Sequence, residues 1–222
     1  MDGIPTLSYS RQKAEVERRL DHFESQNPDI RVVRFRPVSA FKRESAEGLR
    51  RIFGGSFFPS FQAWPEFINL VPEIKGLRFQ VVHSYEVGEA YRLALLHDVP
   101  GAFNLAADLV LDAQEVGRVL NTRPVPVPVQ LGCAGARLSW QLRLQPMVEA
   151  WLDLALSSPI MDTSRAWQEL RWMPQRSAED TVLDLLAGLR EGAGLDTPTL
   201  SPKTGGPFRI RETLTGVGRR EP

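Results

Sequence analysis

The first residues whose spacing could do chemistry stand almost at the start, in "SYSRQK" (8–13), where Tyr9 and Lys13 lie four apart. On a helix both side chains project from one face. A lysine ammonium beside a phenol stabilises the phenolate and lowers a pKa that starts near about 10. Such a tyrosine can take or give a proton at a carbinol carbon while a nicotinamide exchanges hydride with that carbon. The same spacing also suits a core-edge tyrosine on an ordinary amphipathic stripe, so spacing alone does not choose.

Two other groups invite chemistry. Arg31, Arg34, Arg36, Lys42, Arg43, Arg50 and Arg51 form a basic cluster that could meet a diphosphate. Offset by Glu44 and Glu47, it reads better as a solvated strand edge and helix face, with Arg43 the exception. His22, His83 and His97 lack metal-ligand spacing and cysteine partners, so no metal site is expected. His83, at the end of a strand, is the one histidine to watch, either at a site or closing a local hydrogen bond. Cys133 is expected to be buried. No G-x-S-x-G elbow exists, and "KTGGP" (203–207) lacks the phosphate-loop pattern.

Around these candidates lie 222 residues, 42% of them apolar, enough for one medium domain with a real core. Acidic and basic residues number 27 each, which gives no electrostatic case for nucleic acid or an anionic membrane as partner. The single cysteine excludes an internal disulfide framework. There is no apolar run of about 18 residues to span a membrane and no signal-peptide pattern in "MDGIPTLSYS". A cytoplasmic location is the expectation.

The elements that must position the candidates follow from periodicity. Tyr9, Lys13, Val16, Leu20 and Phe23 form one stripe of a helix, with Glu15 and Arg19 pairing on the exposed side and "QNPD" (26–29) ending it. "IRVVRFRP" (30–37) reads as a strand, 44–54 as a helix, and the aromatic, proline-broken 56–67 as a packed loop. "LRFQVVH" (77–83) is a second strand. The helix after it puts Val87, Ala90, Tyr91, Ala94 and Leu95 on one face, and "GAFNLAA" (101–107) is a third strand. Asp112 caps a helix over 112–120. "RPVPVPVQ" (123–130) is extended and at most an edge strand. Residues 131–157 are helical with a break near Pro146, and a short helix over 161–172 is capped by Asp162 or Thr163. A capping box at Ser177 and Asp180 opens a last helix that buries Val182, Leu185, Leu186 and Leu189. No internal repeat is present. Three strands separated by helices predict an α/β fold with parallel pairing, entered midway because a helix precedes the first strand.

In order, "YSRQKAEVERRL", "RVVRFRPVSAFKR", "FQVVHSYEVGEAYRLAL", "GAFNLAA" and "DTSRAWQELRWMP" resemble the extended short-chain dehydrogenase/reductase family. These are NAD-dependent epimerases and dehydratases acting mostly on sugar nucleotides. The resemblance spans roughly residues 2–190 and matches the second half of such a protein. It implies a partial Rossmann-like α/β fold, a truncated parallel sheet with helices, plus a small mixed α/β substrate-side subdomain. These would occupy residues 1–192, followed by a mobile Pro/Gly-rich tail over 193–222. It implies Tyr9 as acid/base and Lys13 as its partner, also holding the nicotinamide ribose. Pro37 and Val38 would lie beside the nicotinamide. His83 with the turn after it, and Arg43, would face the substrate, a sugar-nucleotide-like small molecule. The implied cofactor is NAD or NADP, with no metal.

The chain also departs from the family pattern. It has no glycine-rich turn for a pyrophosphate; "GCAG" (132–135) follows no good strand. The serine or threonine usual upstream of the tyrosine is absent. Val38 and Lys42 stand where the family commonly has glycine, Tyr85 and Glu86 replace two aspartates, and Arg171 replaces a helix-ending glycine. The expectation is therefore that this chain alone neither binds NAD tightly nor turns over substrate. The alternative is a non-catalytic association remnant, a homodimer, or one part of a split assembly awaiting the missing N-terminal half.

Overall fold

The computed structural model describes residues 3–5, 7–53, 70–142, 150–197 and 200–201. The aromatic 56–67 stretch, the break near Pro146 and most of 193–222 lie outside them.

Helix α1 runs over Ser8–Gln26. The segment before it folds back on the first turn: the Ile4 N–H donates to Ser10 Oγ at 2.8 Å, and Leu7 is buried. Gly3 makes this possible with φ +70°, where a Cβ would stand 2.6 Å from the Ser10 carbonyl oxygen. At the other end the Asn27 N–H and side-chain amide both donate to the Phe23 carbonyl, so the helix stops in "QNPD" as its sequence predicts.

Six strands pair two by two, all parallel, among the described residues. β1 (Val33–Pro37) pairs with β5 (Gly101–Leu105), β2 (Ser39–Phe41) with β4 (Val81–His83), and β3 (Leu70–Ile74) with β6 (Arg123–Val127). Sequence periodicity finds three of these. β2 is too short to alternate visibly, and Pro72 hides β3. The predicted strand over 77–83 is split: Phe79 bridges Leu111 antiparallel before β4 begins. β6 tolerates its prolines because Pro124 and Pro126 have the same parity. Alternate residues of a strand aim their N–H groups at opposite edges, so both missing donors fall on one edge.

Between the strands lie α2 (Ala46–Phe53), α3 (Ser84–Leu96) and α4 (Ala113–Leu120), and after β6 come α5 (Val129–Gln141), α6 (Ala150–Ser157), α7 (Ser164–Gln168) and α8 (Ala178–Glu191). Asp112 caps α4, accepting from the Gln114 and Glu115 N–H groups at 2.9 Å. Asp162 accepts from the Ser164 N–H at 2.8 Å ahead of α7. The Ser177–Asp180 capping box opens α8, and Gly192 ends it with φ +61°. Arg171 adopts φ +54°, the left-handed conformation its glycine-like place after α7 predicts, at a cost of about 1–2 kcal/mol.

The main core packs Val82, Phe103 and Leu105 of the strands against Ala90 and Ala94 of α3 and Leu170 and Trp172 after α7. The Trp172 indole N–H donates to the Glu86 carbonyl at 2.8 Å, which satisfies its one polar atom in the core. A second cluster joins Val81, Ala107, Leu111 and Ala178; a third joins Ala46 to Leu186 and Leu189 of α8. Two expectations need correction. Tyr91 and Leu95 stay exposed, because the face that α3 buries is centred on Ala90 and Ala94. Cys133 is half-buried. The α1 stripe is uncovered, with Tyr9 at 44%, Val16 at 50% and Phe23 at 43% exposure. No described helix is long and apolar enough to cross a membrane.

Candidate functional site

Tyr9 and Lys13 sit on the first turns of α1, on one exposed face. The Lys13 ammonium lies over the Tyr9 ring, 5.7 Å from its centroid. The other face of this small group is Trp151 of α6, whose ring centroid is 5.1 Å from that of Tyr9, tilted by 31°. Tyr9 thus contacts an aromatic ring and a cation while staying 44% exposed.

What holds α1 in place is charge. Arg34, largely buried on β1, reaches Glu17 at 3.0 Å, Asp21 at 2.7 Å and Glu24 at 2.7 Å. Arg36, next on the same face of the strand, reaches Glu17 at 2.6 Å. That hydrogen bond, and then the nearby arginine charges, hold the Glu17 carboxyl below its ordinary range despite some burial. The three acids recur at helical spacing along α1, so one strand anchors about two turns of that helix. The basic cluster is therefore mostly spent on structure. Arg31 donates to the Ala94 carbonyl at 2.8 Å and to that of His97, and Arg50 pairs with Glu47 at 3.0 Å, both buried.

Pro37 is an exposed strand end. Val38 is half-buried against the main core, and its N–H donates to the Leu105 carbonyl at 3.0 Å. His83 is fully buried. Its Nδ1 accepts from the Tyr85 N–H at 3.2 Å, which leaves the proton on Nε2 to donate to Asp184 of α8, also at 3.2 Å. Arg43 meets the same carboxylate through its backbone N–H, at 2.9 Å, while its guanidinium pairs with Glu191. The hydrogen bond it donates to Glu191 raises the Arg43 pKa further.

The structure thus brings His83 and Arg43 together through Asp184, and Tyr9 together with Lys13. Among the described residues no hydrogen bond, ion pair or ring contact joins the two groups. Asp184, Trp151 and Gly188 escape sequence reasoning. Asp184 is one acid on the polar side of a helix, with nothing to mark it. Gly188, in mid-helix, is a readable signal of close approach: the Arg43 backbone lies where its Cβ would be.

A dinucleotide needs a cradle for its pyrophosphate, and the described strand-to-helix turns do not supply one. The links from β2 to α2, β5 to α4 and β6 to α5 contain no glycine. β4 runs directly into α3, whose Tyr85 N–H is met by the His83 side chain. The described residues therefore do not fit the pyrophosphate of a dinucleotide. Among the described residues no group of three His, Cys, Asp or Glu could hold a metal ion.

No protein-family model matches the chain, and no curated protein does. Solved structures do. UDP-glucose 4-epimerase from Thermotoga maritima, solved with UDP-glucose, matches with a TM-score of 0.55 and 16% identity over 84% of this chain and 54% of that one. A nucleoside-diphosphate-sugar epimerase from Pseudomonas aeruginosa matches with a TM-score of 0.54 and 18% identity over 86% of this chain and 59% of that one. At such identities the likeness is one of fold: the chain has part of the α/β, Rossmann-like fold of sugar-nucleotide epimerases. It spans little more than half the length of these solved chains.

Proposed function

We propose that this chain is the catalytic-helix and substrate-side part of an NAD(P)-dependent epimerase or dehydratase acting on a sugar-nucleotide-like substrate. The observation that carries the reading is the Tyr9–Lys13 pair, exposed on the helix that enters an epimerase-like fold. Tyr9 passes a proton to or from a substrate hydroxyl. Lys13 binds the nicotinamide ribose. The nicotinamide, when bound, supplies the hydride exchange. Pro37 and Val38 border it, while His83, through the turn it caps, and Arg43 shape the substrate side. Since the described turns offer no pyrophosphate cradle, these 222 residues alone bind NAD(P) weakly and turn over little. Polypeptide carrying a glycine-rich nucleotide-binding unit, in cis or in trans, completes the enzyme.

The test is turnover of a UDP-sugar with NAD in the presence of such a unit. Tyr9→Phe should lower kcat by about 10²–10⁴-fold with an unchanged fold, as loss of general acid/base catalysis does. Undiminished turnover in that variant would remove Tyr9 from the mechanism.

A second reading, a non-catalytic association module or homodimer, is favoured by the uncovered α1 stripe of Tyr9, Val16 and Phe23. On this reading light scattering shows concentration-dependent association that Val16→Glu abolishes. A monomer at all concentrations counts against it.

A further inference from the structure

The turn after His83 gathers charge that the catalytic reading does not use. Tyr85, the second residue of α3, is 59% exposed, and its hydroxyl has no hydrogen-bond partner among the described residues. Two cations from separate connections lie over its ring. Lys42, between β2 and α2, places its ammonium 6.0 Å from the ring centroid; Arg176, between α7 and α8, places its guanidinium at 5.5 Å. Lys42 and Tyr85 stand where the resembled pattern has a glycine and an aspartate, so these two departures meet in space.

One of the two cations is short of carboxylate. The Arg176 guanidinium has no ion-pair partner among the described residues; only its backbone N–H meets an acid, Glu86, at 3.2 Å. The Lys42 side chain, 26% exposed, pairs with Glu44 at 3.6 Å, an ion pair without a direct hydrogen bond. The other charges around the turn are matched. Arg43 pairs with Glu191, and Asp184 accepts from His83 and the Arg43 N–H. A ring face attracts a cation without neutralising it, so Lys42 and Arg176 keep their capacity for an anion.

We propose that Lys42, Arg176 and the Tyr85 hydroxyl form an anion-binding subsite that takes the diphosphate of a small molecule. Ammonium and guanidinium groups make charge-assisted hydrogen bonds to phosphate oxygens, and a diphosphate offers enough acceptors for donors arriving from three elements. The subsite requires no nicotinamide and stands apart from the Tyr9–Lys13 pair.

The test is calorimetric titration of the full chain with inorganic pyrophosphate at low ionic strength. One saturable site is expected. Lys42→Ala with Arg176→Ala should weaken it at least about tenfold and Tyr85→Phe about two- to threefold. Arg123→Ala, an exposed cation on β6, should leave it unchanged. Absence of saturable binding, an unchanged affinity in the double variant, or an equal loss in Arg123→Ala would overturn the proposal. If the double variant fails to fold, Arg176→Ala alone decides, since its side chain is exposed: about threefold weaker binding supports the subsite and none contradicts it. Because the readout involves neither NAD nor turnover, its failure is separate from that of the catalytic reading.

Discussion

Tyr9 and Lys13 were legible as a chemical pair because four-residue spacing on a helix fixes one face. What they touch was not legible. Trp151 lies far along the chain, and only the tertiary fold brings its ring to Tyr9. His83 shows the same limit. Its strand-end position was readable, but its Nε2 partner, Asp184, is a hundred residues away and makes the histidine a buried tie between β4 and α8. Arg171 was readable in full, since a residue in a glycine's place after a helix must enter the left-handed region, and it does. Gly188 gives the clearest prediction at this scale. A Cβ there would run into the Arg43 carbonyl, and α8 cannot move off without breaking the Asp184 bond to the Arg43 N–H. Gly188→Ala should therefore destabilise the fold by about 1–3 kcal/mol, despite the better helix propensity of alanine. Thermal unfolding measures it, and an unchanged or raised Tm would show that α8 is not seated so closely.

Among elements, helices were read best. Asp112 and the Ser177–Asp180 box mark helix starts by side-chain chemistry that needs no tertiary context. Strands were read poorly where they are three residues long or carry prolines, because pairing parity is a property of two strands. The α1 helix was read correctly as an element, and Tyr9, Val16 and Phe23 of its stripe stay exposed. Its attachment runs through Glu17, Asp21 and Glu24 to Arg34 and Arg36, one face over from the apolar residues. This makes the α1–β1 contact sensitive to acid. The Arg36 hydrogen bond lowers the Glu17 pKa from 4.5 in the folded state. The stabilisation is therefore present above that ordinary value and lost as the pH falls through the lower folded one. Thermal unfolding from about pH 6 to about pH 3 should show Glu17→Gln less stable than the unaltered chain at the higher pH, with the gap closing as acid is added. A gap that persists at the lower pH would mean that Glu17 acts through packing alone.

At the scale of the whole molecule, the α/β class and the order of helices and parallel strands were legible, and the solved epimerases share that architecture over most of this chain. The pairing of the strands into three separate two-stranded ladders was not, since register depends on which edges meet. The central claim joins both levels: an epimerase-type fold that presents Tyr9 and Lys13, with no glycine-rich turn among its described strand-to-helix links to take a dinucleotide. Calorimetric titration of the 222-residue chain with NAD and with NADP tests it most directly. The account predicts dissociation constants of about 1 mM or weaker, with heats that do not saturate in a micromolar titration. Saturable one-to-one binding at micromolar concentration would contradict it.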